Sequence, residues 1–293
     1  MKIRIVILNY RGEDLLPQCL PSIVKAAKES RHEVIVALLH NPGGDDGGLS
    51  YVRREYPQVE IWLSPENRIL CSNNLYLPLV AEPIVILLNN DIRVDSGFVD
   101  PLIERFLEDP NTFMTAPKVL SFDGKKVDAA CSRAGMRWGM FWCDARYPGY
   151  EKEMDIPSET YSSGFGAFSR DKFLELGGYD DLFQPGILED VDLSCRARRA
   201  GYKLYYEPRS VVYHVGQASF KKVFGSRQTS VIAWRNTFLF MWKNFRGSGF
   251  WLQHLFFLPL RLTAALVQGR VEFIQGFGQA VQKIVKRKVE EKT

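Results

Sequence analysis

Residues 84–91, IVILLNND, constrain the fold more than any other stretch, because five apolar residues, three of them β-branched, stop at three polar ones. A short continuous apolar run suits a strand covered on both faces, the usual state of a strand in a parallel sheet. Open α/β sheets bind ligands beyond the carboxyl ends of such strands. Asp91 is therefore expected to face a ligand.

The pattern recurs along the chain. Residues 3–8 are apolar and run into Asn9-Tyr10-Arg11-Gly12, and the spacing of Leu16, Leu20, Ile23, Val24 and Ala27 predicts a helix. Residues 34–39 and 59–63 repeat the strand signal around a glycine-dense loop at 42–48 and a short helix at 51–56. A short helix at 73–80 precedes the strand at 84–88; a helix at 98–107, a strand at 113–120 and a hairpin-type turn at Asp123-Gly124 follow. Residues 128–160 show no sustained period and read as a long, partly ordered loop. Beyond it come a strand at 164–169, a helix at 171–176, a helix at 189–200 closed by Gly201, and two short strands at 203–206 and 211–213 that deliver His214. Strand alternating with helix predicts an α/β fold with a mostly parallel, doubly wound sheet flanked by helices. No G-x-G-x-x-G follows the first strand, which argues against a dinucleotide-dependent dehydrogenase.

The character changes from Trp234 onward. Residues 250–267 are apolar enough to raise a membrane span, but His254, Pro259 and Arg261 interrupt it. Between 267 and 285 a polar stripe of Gln268, Glu272, Gln275, Gln279 and Gln282 alternates with Val271, Ile274, Phe277, Val281 and Val285, the spacing of an amphipathic helix. With Lys283, Lys286, Arg287 and Lys288 at its end, this helix suits the interface of an anionic bilayer; the alternative is docking on the protein's own core or on a second subunit. A net charge of +4 and the lack of an aromatic-basic module argue against nucleic acid. Five cysteines without a C-x-x-C pair suggest neither a disulfide framework nor a zinc site, and reduced cytosolic thiols are expected. The N-terminal residues lack the longer apolar region and cleavage site of a signal peptide, so folding is expected to begin at residue two or three.

Three polar clusters fall at expected element ends: Asn89-Asn90-Asp91, Glu189-Asp190-Val191-Asp192, and His214. Each alone has a bland reading, since Asp often caps a helix and acids at a helix start are favoured by its dipole. They stand in order with IVILNYRG (5–12), CLPSI (19–23), SNN (72–74), Ser163-Gly164, GGYD (177–180), AGY (200–202) and Arg235-Asn236. On these stretches, spread over residues 3–245, the chain resembles glycosyltransferase family 2, the inverting nucleotide-sugar transferases of the GT-A fold, and especially its rhamnosyltransferase-like members.

The resemblance implies a GT-A domain over 1–245, and the amphipathic spacing adds a membrane-associating helical extension over 246–293. It also implies a hexosyltransferase with a divalent cation, Mn²⁺ or Mg²⁺, that stabilises the leaving diphosphate of a nucleotide-sugar donor as a Lewis acid. Asp91 stands at the metal-binding Asp of the family's D-x-D motif, with Asn89 at its first position, and His214 stands at the second ligand. Asp190 takes the place of the general base, with Glu189 orienting base or acceptor, while Asp192 is expected to cap the helix or pair with Arg196. The donor side is expected to include Asn9, Tyr10, Asn67, Asn89, Asn90 and Gly164, with Arg235, Lys221, Lys222 and Arg227 meeting the diphosphate. The implied acceptor is lipid-linked or a growing polysaccharide, met peripherally at the cytoplasmic face of the inner membrane; a homo-oligomer is left open. A non-catalytic nucleotide-sugar-binding or scaffold subunit of a polysaccharide assembly complex is the rival reading. Two departures touch the nucleotide pocket. The second strand ends in His40-Asn41-Pro42 where the family has a base-reading Asp, unless Asp45 or Asp46 substitutes, and Ile69 replaces the glycine of an Asn-x-Gly loop.

Overall fold

Strand β1 (Lys2–Asn9) is followed by α1 (Leu16–Glu29), β2 (Glu33–His40), α2 (Gly47–Glu55), β3 (Glu60–Leu63), α3 (Asn73–Tyr76) and β4 (Ile84–Asn89) in a computed structural model that describes residues 1–43, 47–215 and 218–290. These four strands lie in the order β3-β2-β1-β4, all parallel. The apolar runs are near-continuous because both faces are covered. Ile3, Ile5, Ile7, Ile84 and Ile86 pack in one cluster with Leu16, Leu20 and Ile23 of α1, whereas Val6, Leu8, Val85 and Leu87 pack in a second with Phe113, Phe168 and Phe173. Register pairs Leu8 with Asn89, so the polar ends of both strands leave the sheet at one edge.

After β4 come β5 (Ile92–Val94), α4 (Val99–Glu108), β6 (Thr112–Ser121), β7 (Val127–Ala129), β8 (Arg133–Arg137), β9 (Met140–Asp144) and β10 (Ser158–Glu159). Then follow β11 (Gly166–Ser169), α5 (Arg170–Glu175), α6 (Glu189–Arg199) and β12 (Lys203–His214). The main path of the sheet runs β10-β12-β6-β11-β4-β1-β2-β3. β11 enters antiparallel between β4 and β6, and β12 lies parallel to β6, so the sheet is mixed at this end.

Two expectations need correction. Residues 128–160 are not one long loop: β8 and β9 form a separate hairpin whose Phe141 ring packs 4.5 Å from that of Phe240. Strands of two to five residues are too short to show a period, which is why the stretch looked irregular. The two strands expected at 203–206 and 211–213 are one strand with a register shift between Glu207 and Val211.

Helix α7 (Ala218–Asn244), kinked at Gly225, leads to α8 (Ser248–Val267) and α9 (Val271–Glu290). A third apolar cluster joins Phe141, Phe183 and Phe238 to Ala265, Phe273 and Ala280, so one core crosses the expected boundary at 245/246. Docking on the protein's own core is what α9 does with Ile274 and Phe277, together with Phe273 and Ala280; Val271, Val281 and Val285 stay exposed. Gly276 permits this close approach, since a Cβ there would lie 2.9 Å from the Arg235 nitrogen of α7.

Candidate active site

The chain leaves β4 through Asn90, whose amide nitrogen Nδ2 donates to Asn9 Oδ1 at 2.8 Å and to the Tyr10 carbonyl at 3.1 Å. β5 then pairs antiparallel with the end of β12, setting Ile92 opposite His214, and the Val215 amide donates to the Asp91 carbonyl at 3.2 Å. This pairing brings two distant polar clusters together. His214 Nε2 lies 3.4 Å from Asp91 Oδ2, while the buried Asp91 Oδ1 has no hydrogen-bond partner among the described residues. An unsatisfied buried carboxylate oxygen beside an imidazole suits a divalent cation. Among the described residues no third His, Cys, Asp or Glu joins the pair, so a cation held here would take its other ligands from substrate oxygens and water.

Asp91, His214, Tyr10, Asn67, Asn89, Asn90 and Glu189 line a cleft of about 530 Å³. That volume lies within the usual range of small-molecule sites. A neighbouring pocket of about 320 Å³ is lined by Asp190, Gly164, Ser132, Ser162, Ser163 and Asp144, and His214 borders both. Successive residues of one helix start thus open on different pockets, Glu189 on the larger and Asp190 on the smaller. Gly164 belongs with Asp190: a Cβ there would lie 3.7 Å from Asp190 Oδ2.

The electrostatics of this pair follow from burial. Burial first, then the Asp190 charge, pushes the Glu189 carboxyl up to about 8, and its Oε2 has no partner among the described residues. Burial also raises Asp190, although backbone amides of the helix start oppose the shift. Two adjacent carboxyls in one poorly solvated place cannot both ionise cheaply, so both are held above the ordinary carboxylate range. Asp192, fully buried one turn inside, accepts from Arg196 and Asn244 at 2.8 Å and from Lys243 at 2.7 Å; it is a structural anchor paired with Arg196, as its spacing suggested.

The segment that delivers Glu189 carries two non-glycine residues with left-handed backbone, Ile187 (φ 75°) and Leu188 (φ 76°). Such conformations persist only where surrounding structure holds them. Asn236 of α7 does so: its side-chain nitrogen lies 2.7 Å from the carbonyls of Phe183 and Gly186 and 2.8 Å from that of Ile187. Arg235 donates to the Gln184 carbonyl at 2.7 Å and to Asn236 Oδ1 at 2.9 Å, so its guanidinium braces this segment and does not line the cleft. Asn236→Ala is expected to cost about 2 kcal/mol of stability, from three under-satisfied carbonyls, and to lower kcat roughly tenfold by loosening the carboxylate pair. Thermal unfolding and steady-state kinetics check the two effects separately.

On the nucleotide side the two departures acquire a structural form. Ile69 lines the cleft with φ 54°, so the left-handed conformation suited to glycine is kept with isoleucine in it. Asn67 Oδ1 accepts from the Ile69 amide at 3.1 Å and supports that turn. Asn41 also lines the cleft, oriented by Ser72 Oγ at 2.6 Å, and Asn9 is a buried strut, 2.9 Å from His40 Nδ1, that does not reach the cleft. Asn41 and Asn236 were not among the expected site residues. The only signals for them were the altered end of the second strand and the Arg235-Asn236 pair. Asp45 and Asp46 lie outside the described residues, as do the side chains of Lys221 and Lys222. Arg227 pairs with Glu272 of α9 at 3.7 Å.

A mixed sheet with a cleft at its carboxyl edge, lined by an Asp–His pair and by Glu189, with Asp190 on the adjoining pocket, defines a glycosyltransferase-type chain of the GT-A fold. The family model described as Glycosyltransferase like family 2 matches residues 2–231, and the chain belongs to that family. It is 26% identical over 285 residues to the N-acetylglucosaminyl-diphospho-decaprenol L-rhamnosyltransferase of Mycobacterium tuberculosis, with 88% of each chain covered. It is 28% identical over 151 residues to human polypeptide N-acetylgalactosaminyltransferase 6, covering 47% of this chain and 24% of that relative; the chain thus spans about a quarter of that protein's length. Among solved structures, GalNAc-T7 with UDP, GalNAc and Mn²⁺ superposes with a TM-score of 0.62 at 17% identity, covering 82% of this chain and 47% of that one. The mannosyltransferase PcManGT of Pyrobaculum calidifontis, in complex with GDP-Man and Mn²⁺, gives 0.56 at 13% identity, covering 94% and 73%.

Proposed function

We propose that the chain is an inverting glycosyltransferase that moves a hexose from a nucleotide-diphosphate donor to a lipid-linked or polysaccharide acceptor at the cytoplasmic face of the membrane. The observation that carries this reading is the pair of pockets sharing His214, with Asp91 and Glu189 on the larger and Asp190 on the smaller. The larger cleft holds the donor. When bound by Asp91 and His214, a divalent cation, Mn²⁺ or Mg²⁺, supplies Lewis-acid stabilisation to the leaving diphosphate. The smaller pocket holds the acceptor hydroxyl, whose proton passes to a carboxylate oxygen of Asp190 as its oxygen displaces the diphosphate at the anomeric carbon. Glu189, whose carboxyl burial pushes up to about 8, adds little competing charge beside Asp190. The names of the mycobacterial rhamnosyltransferase and of the Mn²⁺-bound neighbours support a sugar donor, a metal and a lipid diphosphate acceptor.

A panel of nucleotide sugars with Mn²⁺, read by release of the nucleotide diphosphate, tests the reading: turnover of at least one donor is expected. Calorimetry showing no binding of any nucleotide diphosphate in Mn²⁺ would favour the scaffold alternative.

The buried acid has a measurable signature in the metal-free protein. Glu189 holds its proton up to about 8 when folded and ionises near the ordinary 4.5 when unfolded. Its stabilising contribution is therefore fully present below the unfolded value and is lost as the pH rises through the folded one. Glu189→Gln, which cannot ionise, is expected to gain stability over the native chain on the order of 2 kcal/mol at pH near 8 and little at pH near 5. Thermal unfolding at the two pH values reads the difference; an equal gain at both would contradict a buried, proton-holding carboxyl.

A further inference from the structure

The described C-terminal helices leave one surface that the catalytic reading does not use. α8 is long and apolar enough to cross a membrane, yet only His254 and Ala265 of it are buried. Leu252, Phe256 and Val267 are 72%, 67% and 83% exposed, an apolar ridge of a kind that marks a docking face rather than ordinary surface.

The ridge cannot belong to a spanning helix, because α8 is fastened to the protein along its length. His254 accepts from Trp242 Nε1 at 3.1 Å and lies 2.8 Å from the Gly139 carbonyl through Nδ1. Arg261 donates to the carbonyls of Trp138 and Arg137 at 3.1 and 3.2 Å, and Leu258 and Leu262 pack into the core cluster. α9 then packs against α7 through that same cluster.

The tip of the β8–β9 hairpin adds to the same face. Its two turn residues, Trp138 (φ 56°) and Gly139 (φ 70°), are both left-handed, a turn whose first position favours Asn, Asp or Gly. A tryptophan held there, exposed, with its ring 5.6 Å from Phe257 of α8, is backbone strain accepted at a surface position. The charge pattern selects the occupant. Between residues 244 and 271 the chain carries Arg246, Arg261 and Arg270 and no Asp or Glu. Arginines around an apolar, Trp-bearing ridge match anionic headgroups over acyl chains. In a twofold dimer through this face the same arginines would meet one another.

We propose that α8 and the Trp138 tip form a monotopic membrane-docking surface, with α8 lying in the plane of an anionic bilayer. This deepens the proposed function and rests on it for its purpose, since β9 of the docked hairpin also carries Cys143 and Asp144, which line the Asp190 pocket. Docking sets the acceptor pocket close to the headgroup level, where a lipid-linked acceptor presents its hydroxyl. It also transfers the membrane contact to α8 from α9, which packs Ile274 and Phe277 into the core.

The test is flotation of the full chain with phosphatidylcholine vesicles, with and without one third phosphatidylglycerol. The native chain is expected to float, more strongly with the anionic lipid, and the double variant Leu255→Glu/Phe256→Glu to lose binding roughly tenfold. Both side chains are exposed, so unchanged thermal unfolding of the variant is expected and certifies its fold. Flotation of the variant equal to the native chain would overturn the proposal. So would a native chain that stays in solution as a dimer, split by the same variant, with no vesicle binding. Nucleotide release from soluble donor without vesicles is read in parallel, so failure of catalysis and failure of docking are told apart.

Discussion

Asp190→Asn is expected to lower kcat for sugar transfer by about 10²–10⁴, with donor affinity nearly unchanged. The magnitude follows from the role: the acceptor hydroxyl must lose a proton as its oxygen attacks, and an amide cannot accept it. The selectivity follows from placement. Asp190 opens on the smaller pocket, whereas the donor cleft is lined by Glu189, Asp91 and His214. Calorimetry with the nucleotide diphosphate and Mn²⁺ is therefore expected to give the native affinity for the variant. Its fold is also expected to survive, because Asn keeps the shape and removes the cost of a poorly solvated charge beside Glu189. Full transfer activity in Asp190→Asn would sink the base assignment, and lost nucleotide binding would show that the two pockets are not divided between donor and acceptor as proposed.

Much of this architecture was legible from the sequence where physics acts locally. The β1 and β4 runs read correctly because strands covered on both faces need apolar residues throughout, and the polar residues at their ends mark the sheet edge that bears the cleft. What was not legible depends on distant partners. That β11 runs antiparallel is decided by its neighbours β4 and β6, not by its own residues. The β8–β9 hairpin is stabilised by Phe240 of α7, about a hundred residues downstream, so its short strands carry no signal of their own.

The site divides in the same way. Asp91, Glu189 and His214 stood at predictable element ends, and the fold gathers them around one cleft. Asn9 and Arg235 were expected to touch the ligand, and the structure places them behind the cleft, one tying His40 to the Asn90 turn and the other bracing Gln184. A polar side chain at a strand or helix end reads the same in sequence whether it faces ligand or holds a neighbour that does. Ile69 shows the converse limit: a missing glycine suggested a changed loop, yet the left-handed turn remains, held by Asn67.

Asp91→Ala is expected to abolish metal-dependent nucleotide binding, weakening it by at least about 10–100-fold, and to lower transfer by about 10³. Among the three polar residues at the end of the β4 run only Asp91 carries charge, and Asn90 is already committed to Asn9 and Tyr10. His214 alone offers one ring nitrogen and no negative charge to offset a dication. Asp91 Oδ1, buried without a partner among the described residues, is the atom whose removal takes away the anchor. The alanine variant should also be at least as stable as the native metal-free protein, since it deletes a buried carboxylate that folding must desolvate. Loss of binding together with kept or raised stability distinguishes a ligand from a structural residue: Asp192, fully buried and ion-paired to Arg196 and Lys243, should do the opposite when replaced. Titration of Mn²⁺ in the presence of nucleotide diphosphate, followed by thermal unfolding with and without metal, reads both quantities. A native response to Mn²⁺ in Asp91→Ala would remove the metal from this edge of the sheet, and with it the reason for placing the leaving diphosphate there.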